Sequence, residues 1–100
     1  MKNFLVIGLG EFGKSVAKTL YKNKATVLAI DSREGVIKQA LNEGIIEEAI
    51  ILDATDEIAL KKVVRDDFDT AFVSVGDNIQ ASIFITLQLR EMGEIGRAHV

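Results

Sequence analysis

Three glycines near the start of the chain have the spacing of a phosphate-binding loop. They stand at positions 8, 10 and 13, in a G-x-G-x-x-G pattern that follows an apolar run and opens a helical one. In that setting the first glycine allows a tight turn, the second lets a phosphate approach the backbone, and the third lets the helix lie close to the strand. The unpaired N–H groups at the start of the helix also favour phosphate. The candidate phosphate-binding residues are therefore Gly8, Leu9, Gly10, Glu11, Phe12 and Gly13.

A carboxylate follows the next apolar run, where a nucleotide ribose would lie. Asp31 comes eighteen residues after Gly13, and an acidic residue at this point accepts hydrogen bonds from ribose hydroxyls. Taken alone, Asp31 is better explained as a helix cap or a polar loop residue; beside the glycines, we interpret it as a ribose ligand. Asp31 should repel a 2′-phosphate and so disfavour NADP, although Arg33 could offset that charge or stack on an adenine.

Two further polar segments follow apolar runs. Asp53 and Thr55 come after the third run, at the level of an adenine edge, and capping of the next helix explains them as well as ligand binding does. The segment 75–78 follows the fourth run, near the point where ligands bind in open α/β sheets. A helix cap by Asp77 or Asn78 explains this segment equally well.

The residues do not form a recognisable catalytic set. The chain has no cysteine, its single histidine is His99, and Ser74 has no histidine partner nearby in the sequence. Tyr21 lies before the second apolar run, away from any expected nicotinamide. The acidic segment 65–69 could bind a metal ion, but a solvated acidic turn is the simpler interpretation.

The elements that position these residues alternate regularly. Apolar runs at 3–7, 26–30, 48–52 and 70–75 predict strands, and apolar periodicity predicts helices at 12–23, 33–43, 56–64 and 78–92. A helix between successive strands requires parallel pairing. We therefore expect an α/β fold, a Rossmann-like parallel sheet with helices on both faces and strand order 3-2-1-4, truncated at its C-terminus. The expected buried helix positions are Phe12, Val16, Ala17, Leu20, Val36, Ile37, Ala40, Leu41, Ile79, Ile83, Leu87 and Gln88.

Composition limits the classes of partner. A net charge of −3 argues against nucleic acid, which needs a basic footprint. The longest uncharged stretch, 78–89, is too short to cross a bilayer, so we expect a cytoplasmic protein without direct membrane insertion.

The last seven residues continue neither the helix pattern nor the strand pattern. A common sequencing adapter, read in frame, encodes the same seven residues. We therefore expect one nucleotide-binding domain at 1–93 and a non-native tail at 94–100, which would leave residues 71–75 as an unprotected sheet edge.

Four segments resemble the N-terminal subdomain of RCK (TrkA-N) domains, in particular those of Ktr-type potassium uptake regulatory subunits. They are FLVIGLGEFG at 4–13, VLAID at 27–31, ATDE at 54–57 and VGDNIQAS at 75–82. The resemblance implies a regulatory subunit, not an enzyme, that binds NAD(H) or ADP/ATP and gates a membrane potassium transporter from the inner face of the membrane. It also implies a homo-oligomer, with dimers that build a ring in the full-length protein. The ligand-lining residues it implies are Asp31, Ser32, Arg33, Asp53, Ala54, Val75, Gly76 and Asp77.

One residue departs from the pattern of the resemblance. Relatives of this type that sense ATP usually carry a basic residue where this chain has Glu11. A carboxylate close to a polyphosphate repels it, so we favour a diphosphate such as NAD(H) or ADP over ATP. A cofactor-binding fragment of an NAD-dependent dehydrogenase is the alternative function, and the cytoplasmic domain of an antiporter or channel is a third.

Overall fold

A computed structural model of the chain describes residues 2–64, 68–75, 78–91 and 98–99, the last two by their backbone only. Within these residues, strands and helices alternate as the sequence predicts. The strands are β1 (Asn3–Ile7), β2 (Thr26–Asp31), β3 (Glu48–Ile51), β4 (Thr70–Val73) and β5 (Ala98–His99). The helices are α1 (Glu11–Lys22), α2 (Glu34–Asn42), α3 (Glu57–Val63) and α4 (Ile79–Glu91). The bounds of β1 to β4 and of all four helices agree with the predicted ones to within two residues.

The strands form one parallel sheet with β1 at its centre. β1 pairs with β2 from Asn3 opposite Thr26 to Ile7 opposite Ile30, and on its other side it pairs with β4. β3 pairs with the outer edge of β2. The predicted order 3-2-1-4 is therefore confirmed, with β5 added beside β4. All four carboxyl ends of β1 to β4 consequently lie along the same edge of the sheet.

Helices cover both faces of the sheet, as expected for a Rossmann-like fold. Alternate residues of β1 point to opposite faces, so Leu5 and Ile7 belong to one core and Val6 to the other. The first core includes Leu60 of α3 and residues of α4, and the second includes residues of α1 and α2. Burial on both sides explains why the strands are continuous apolar runs instead of alternating ones.

Two helix ends follow local sequence rules. The Asp56 side chain accepts a hydrogen bond from the Ala59 N–H at 3.2 Å and caps α3. Beyond α2 the chain turns at Gly44, whose φ of +71° is a backbone conformation that favours glycine.

The buried face of α4 differs from the predicted one. The prediction placed Ile79, Ile83 and Leu87 in the core, but they are exposed, Ile79 to 69%. Gln88 is half-buried. The residues of α4 that are buried are Ser82, Ile85, Thr86 and Leu89.

Two hydroxyls explain that error. The Ser82 hydroxyl accepts a hydrogen bond from the Val75 N–H at 2.9 Å, and the Thr86 hydroxyl donates one to the Ser82 carbonyl at 2.7 Å. Because both polar side chains have partners inside the protein, they can be buried at little cost. α4 carries apolar side chains on most sides of the helix, so the periodicity of its apolar residues did not identify the buried face.

The start of α1 also departs from the prediction. The helix packs on the sheet through Gly13 and Ala17, while Val16 and Leu20 are half-buried. Phe12, predicted to be buried, is 52% exposed, and Leu41 of α2, also predicted to be buried, is 42% exposed.

The end of the chain contributes a strand that the sequence did not predict. Ala98 and His99 pair in parallel with Ala71 and Phe72 of β4. The expectation that the final residues have no place in a strand is therefore wrong for these two, and β4 is covered where they pair. The non-native origin of residues 94–100 and the domain boundary at 93 stay predictions, and residues 94–97 and 100 lie outside the described part of the chain.

Candidate functional site

A cleft opens where β1, β2, β3 and β4 end. Its volume is about 280 Å³. Ligands of open α/β sheets bind at this edge, beyond the carboxyl ends of the strands and where the strand order reverses. The residues that line it are Ile7, Gly8, Ile30, Asp31, Ser32, Arg33, Leu52, Asp53, Ala54, Thr55, Val75 and Ile85.

Half of the predicted site residues line this cleft. Those that do are Gly8, Asp31, Ser32, Arg33, Asp53, Ala54 and Val75. Other predicted residues lie next to the cleft along the chain without lining it, namely Leu9, Gly10, Glu11, Phe12 and Gly13. Gly76 and Asp77 lie outside the described residues.

Thr55, for which the sequence left ligand binding and helix capping open, also lines the cleft. Four lining residues were not predicted. Ile7, Ile30 and Leu52 are each at or next to the end of a strand. The rule that ligands bind at the carboxyl ends of parallel strands could have identified these three. Ile85 could not be found in this way, because its contribution depends on which face of α4 is buried.

The three glycines of the loop have different roles. Gly8 has a φ of +96°, and a Cβ built on it would lie 1.7 Å from the Ser74 carbonyl oxygen. A Cβ on Gly13 would lie 1.7 Å from the Gly8 carbonyl oxygen. By contrast, a Cβ on Gly10 has no atom of the described structure within 4 Å. Packing therefore requires the first and third glycines, whereas Gly10 faces open space.

Asp31 fastens the glycine loop to β2. Its carboxylate accepts the Leu9 N–H at 2.8 Å, and the Gly8 N–H donates to the Ile30 carbonyl at 2.7 Å. Asp31 is 6% exposed, although it is charged. The residue is thus part of the framework of the loop as well as of the lining of the cleft.

Arg33 also contacts the Asp31 carboxylate. The backbone N–H and the Nε–H of Arg33 donate to Oδ1 at 2.9 and 3.0 Å, and Nη2 donates to Oδ2 at 3.0 Å. Burial raises the pKa of the Asp31 carboxyl, but hydrogen bonds from Arg33 and Leu9, together with the guanidinium charge, outweigh it and hold the pKa below its ordinary value. Asp31 therefore stays ionised in the folded protein.

The segment after β3 is a tight turn organised by Asp53. Its Oδ1 accepts the N–H and the hydroxyl of Thr55 at 2.9 and 2.6 Å. These two hydrogen bonds lower the pKa of the Asp53 carboxyl. Since Asp56 caps α3, the alternative that Asp53 or Thr55 caps this helix is wrong.

The segment after β4 is joined to α4 by its own side chains. The Asn78 side-chain oxygen accepts the Ala81 N–H at 2.9 Å, so of the two caps that the sequence left open beside ligand binding, the cap by Asn78 is present. Ser82, one turn into the helix, holds the Val75 N–H. Sequence analysis did not identify Ser82 as a site-building residue, because a serine within a helix gives no local signal for such a contact.

Other candidate sites have structural partners or lie outside the described residues. Tyr21 donates a hydrogen bond to Glu47 at 3.1 Å, away from the cleft lining. Asp69 accepts the Asn3 N–H at 2.8 Å, whereas residues 65–67 of the same acidic segment are outside the described part. Among the described residues, no group of three acidic, histidine or cysteine side chains could hold a metal ion. None of the described helices is both long enough and apolar enough to span a membrane.

Two sequence relatives of the chain are potassium uptake proteins by name. It is 44% identical over 92 residues to the Ktr system potassium uptake protein C of Bacillus subtilis, and 38% identical over 92 residues to the Ktr system potassium uptake protein A of Vibrio alginolyticus. Each alignment covers 92% of this chain but 41% of the relative. The chain therefore spans less than half the length of these relatives.

Solved structures share the fold. The NAD(P)-binding domain of an exopolyphosphatase-related protein from Archaeoglobus fulgidus superimposes with a TM-score of 0.83 at 22% identity, covering 99% of this chain and 72% of that one. The TrkA-N domain of the inner membrane protein ybaL from Escherichia coli gives 0.74 at 14% identity, covering 99% and 74%. The TrkA-N domain family itself matches residues 4–99. Together with the glycine loop and the strand order, this match shows that the chain belongs to the TrkA-N domain family.

Proposed function

We propose that the chain is the nucleotide-binding part of a regulatory subunit that controls a membrane potassium transporter. The observation that carries the proposal is the pairing, at one edge of the sheet, of an unobstructed glycine and a buried carboxylate. Gly10 leaves space for a phosphate at the start of α1, and Asp31 lies at the end of the neighbouring strand. A phosphate and a ribose of one nucleotide require these two features side by side.

The proposed ligand is an adenine nucleotide, NAD(H) or ADP/ATP. The Asp31 carboxylate suits ribose hydroxyls, and the turn at Asp53 and Ala54 lies in the same cleft, where the adenine edge would be recognised. Glu11 is exposed at the first position of α1. The Glu11 carboxylate repels the more highly charged triphosphate of ATP more strongly than a diphosphate, so we expect NADH and ADP to bind more tightly than ATP.

Replacing Gly10 by alanine tests the binding site. The backbone there has a φ of −74°, which alanine adopts freely, so the fold should be unaffected while the new methyl group obstructs the phosphate. Gly35→Ala is the matched control, because a Cβ on Gly35 also has no described atom within 4 Å and Gly35 lies outside the cleft lining. We expect isothermal titration with NADH and ADP to show at least tenfold weaker binding for Gly10→Ala alone.

Two outcomes would contradict this function. If the unmodified protein binds none of NADH, ADP and ATP, the cleft is not a nucleotide site. If Gly10→Ala binds as tightly as Gly35→Ala, the phosphate does not approach the backbone at the glycine loop. ATP binding tighter than ADP binding would contradict only the preference based on Glu11.

We further propose that the subunit acts as a homo-oligomer, a dimer that builds into a ring in the full-length protein, on the cytoplasmic face of the membrane. The relatives' names support the link to potassium uptake, and the exposed apolar residues of α4 support self-association. These residues are Ile79, Ile83, Phe84 and Leu87. Potassium uptake by cells that carry Gly10→Ala should fall, while cells with Gly35→Ala should take up potassium normally. Equal uptake by the two strains would refute nucleotide control.

A further inference from the structure

The Asp31 carboxylate has no acceptor position left for another donor. An ionised carboxylate offers about four lone-pair positions on its two oxygens. In this structure Oδ1 accepts the backbone N–H and the Nε–H of Arg33, and Oδ2 accepts the Leu9 N–H and Nη2 of Arg33. Four donors therefore occupy the four positions, at distances from 2.8 to 3.0 Å.

Only two of these donors can be replaced without disturbing the fold. The Leu9 N–H belongs to the glycine loop, and the backbone N–H of Arg33 belongs to the turn into α2. The guanidinium is different, because the Arg33 side chain is 56% exposed and can move into solvent. A ribose that donates both hydroxyls to Asp31 needs the two positions that this guanidinium occupies.

We propose that Arg33 is a specificity-determining residue that competes with the ribose of an incoming nucleotide for Asp31. The inference rests on the proposed nucleotide site and adds to it a built-in competitor. The guanidinium holds the acceptor positions that the ribose would use, and it leaves them when a nucleotide binds. The guanidinium thereby selects for ligands with two ribose hydroxyls, because a ligand with a single donor replaces only one of the two hydrogen bonds in this bidentate contact.

If Arg33 competes with the ribose, removing its side chain changes the nucleotide affinity in the opposite direction from the one that simple electrostatics predicts. Removing a positive charge beside an anionic nucleotide would ordinarily weaken binding. Removing a competitor strengthens it. The guanidinium half of this ion pair is exposed, although the carboxylate is buried. Taking the range for exposed pairs, about 0.2–1 kcal/mol, Arg33→Ala should bind ADP roughly 1.4- to fivefold more tightly than the unmodified protein.

The test is isothermal titration of the unmodified protein, Arg33→Ala and Lys38→Ala with ADP and with inorganic pyrophosphate. Lys38→Ala is a matched control, since it removes one positive charge from α2, the helix that directly follows Arg33. It also breaks an ion pair with Glu34, at 3.2 Å, that lies outside the cleft lining. We expect Arg33→Ala to bind ADP more tightly than either of the other two proteins. Pyrophosphate, which has no ribose, should bind the Arg33→Ala variant no more tightly than the unmodified protein.

The possible results distinguish a failure of the Arg33 competition from a failure of the nucleotide site itself. Tighter ADP binding by Arg33→Ala alone supports the competition. Unchanged or weaker ADP binding by Arg33→Ala, with normal binding by the unmodified protein, overturns the competition and leaves the nucleotide site standing. A gain for pyrophosphate equal to that for ADP also overturns it, because the effect would then not involve the ribose. If none of the three proteins binds ADP, NADH or ATP, the proposed nucleotide site fails, and the competition fails with it.

Discussion

Alanine at Gly13 should destabilise the protein, although alanine is the better helix former. A Cβ at this position would lie 1.7 Å from the Gly8 carbonyl oxygen and 2.9 Å from its carbonyl carbon. Both are backbone atoms, so no side-chain rotation can remove the clash. The contact with the oxygen has to lengthen to at least 3.0 Å, and α1 must therefore move away from the loop by about 1.3 Å.

The expected loss in the free energy of unfolding of Gly13→Ala combines two opposing contributions, overpacking and helix preference. Overpacking of a close-packed site typically costs about 1–3 kcal/mol, and a rigid contact on both sides places Gly13→Ala at the upper end. The intrinsic helix preference of alanine over glycine returns about 1 kcal/mol. The net loss is about 2 kcal/mol, and for a domain of this size each kcal/mol lowers Tm by roughly 4–8 °C. We therefore expect Tm to fall by about 8–16 °C.

Thermal and urea unfolding followed by circular dichroism measure this loss. Gly35→Ala is again the control, because its new methyl group meets no described atom within 4 Å. Helix preference then acts alone, and this variant should gain roughly 0.5–1 kcal/mol. If Gly13→Ala were as stable as the unmodified protein, the close approach of α1 to the glycine loop would be wrong.

Two further predictions concern polar groups of the site. The folded protein holds the pKa of Asp31 below that of the unfolded chain, so this residue contributes stability above about pH 3.9 that is lost as the pH falls toward its folded pKa. The difference in urea midpoint between the unmodified protein and Asp31→Asn should accordingly shrink from pH 6 to pH 3, and a constant difference would contradict the pKa direction. Ser82→Ala removes the acceptor of the Val75 N–H and should cost about 1–3 kcal/mol in urea unfolding. An equal cost for Ser15→Ala, on the exposed side of α1, would show that this hydrogen bond is not the cause.

The sequence alone determined β1 to β4, the four helices, the order of these elements and the position of the candidate site. Continuous apolar runs identified β1 to β4, helical periodicity identified the segments between them, and the alternation required parallel pairing. Parallel strands bring their carboxyl ends to one edge, so Asp31, Asp53 and Val75 could be assigned to one cleft without coordinates. All of these inferences use local periodicity or the direction of the chain, which the sequence records directly.

The tertiary structure decided which groups meet one another. α4 is oriented about its axis so that Ser82 and Thr86 are buried and Ile79 is exposed. The two hydroxyls can be buried because each has a hydrogen-bond partner inside the protein. The pairing of residues 98–99 with β4 depends on an edge formed some 27 residues earlier in the chain.

The saturation of Asp31 by Leu9 and Arg33 is likewise a matter of three-dimensional geometry. Sequence spacing places Asp31 near both residues, but whether its two oxygens are free or occupied depends on hydrogen-bond directions. Such directions are fixed only when the glycine loop, the end of β2 and the start of α2 are packed together. The residue types predicted a ribose site at Asp31. The folded arrangement shows that Arg33 of the same chain already donates to three of the four acceptor positions of this carboxylate.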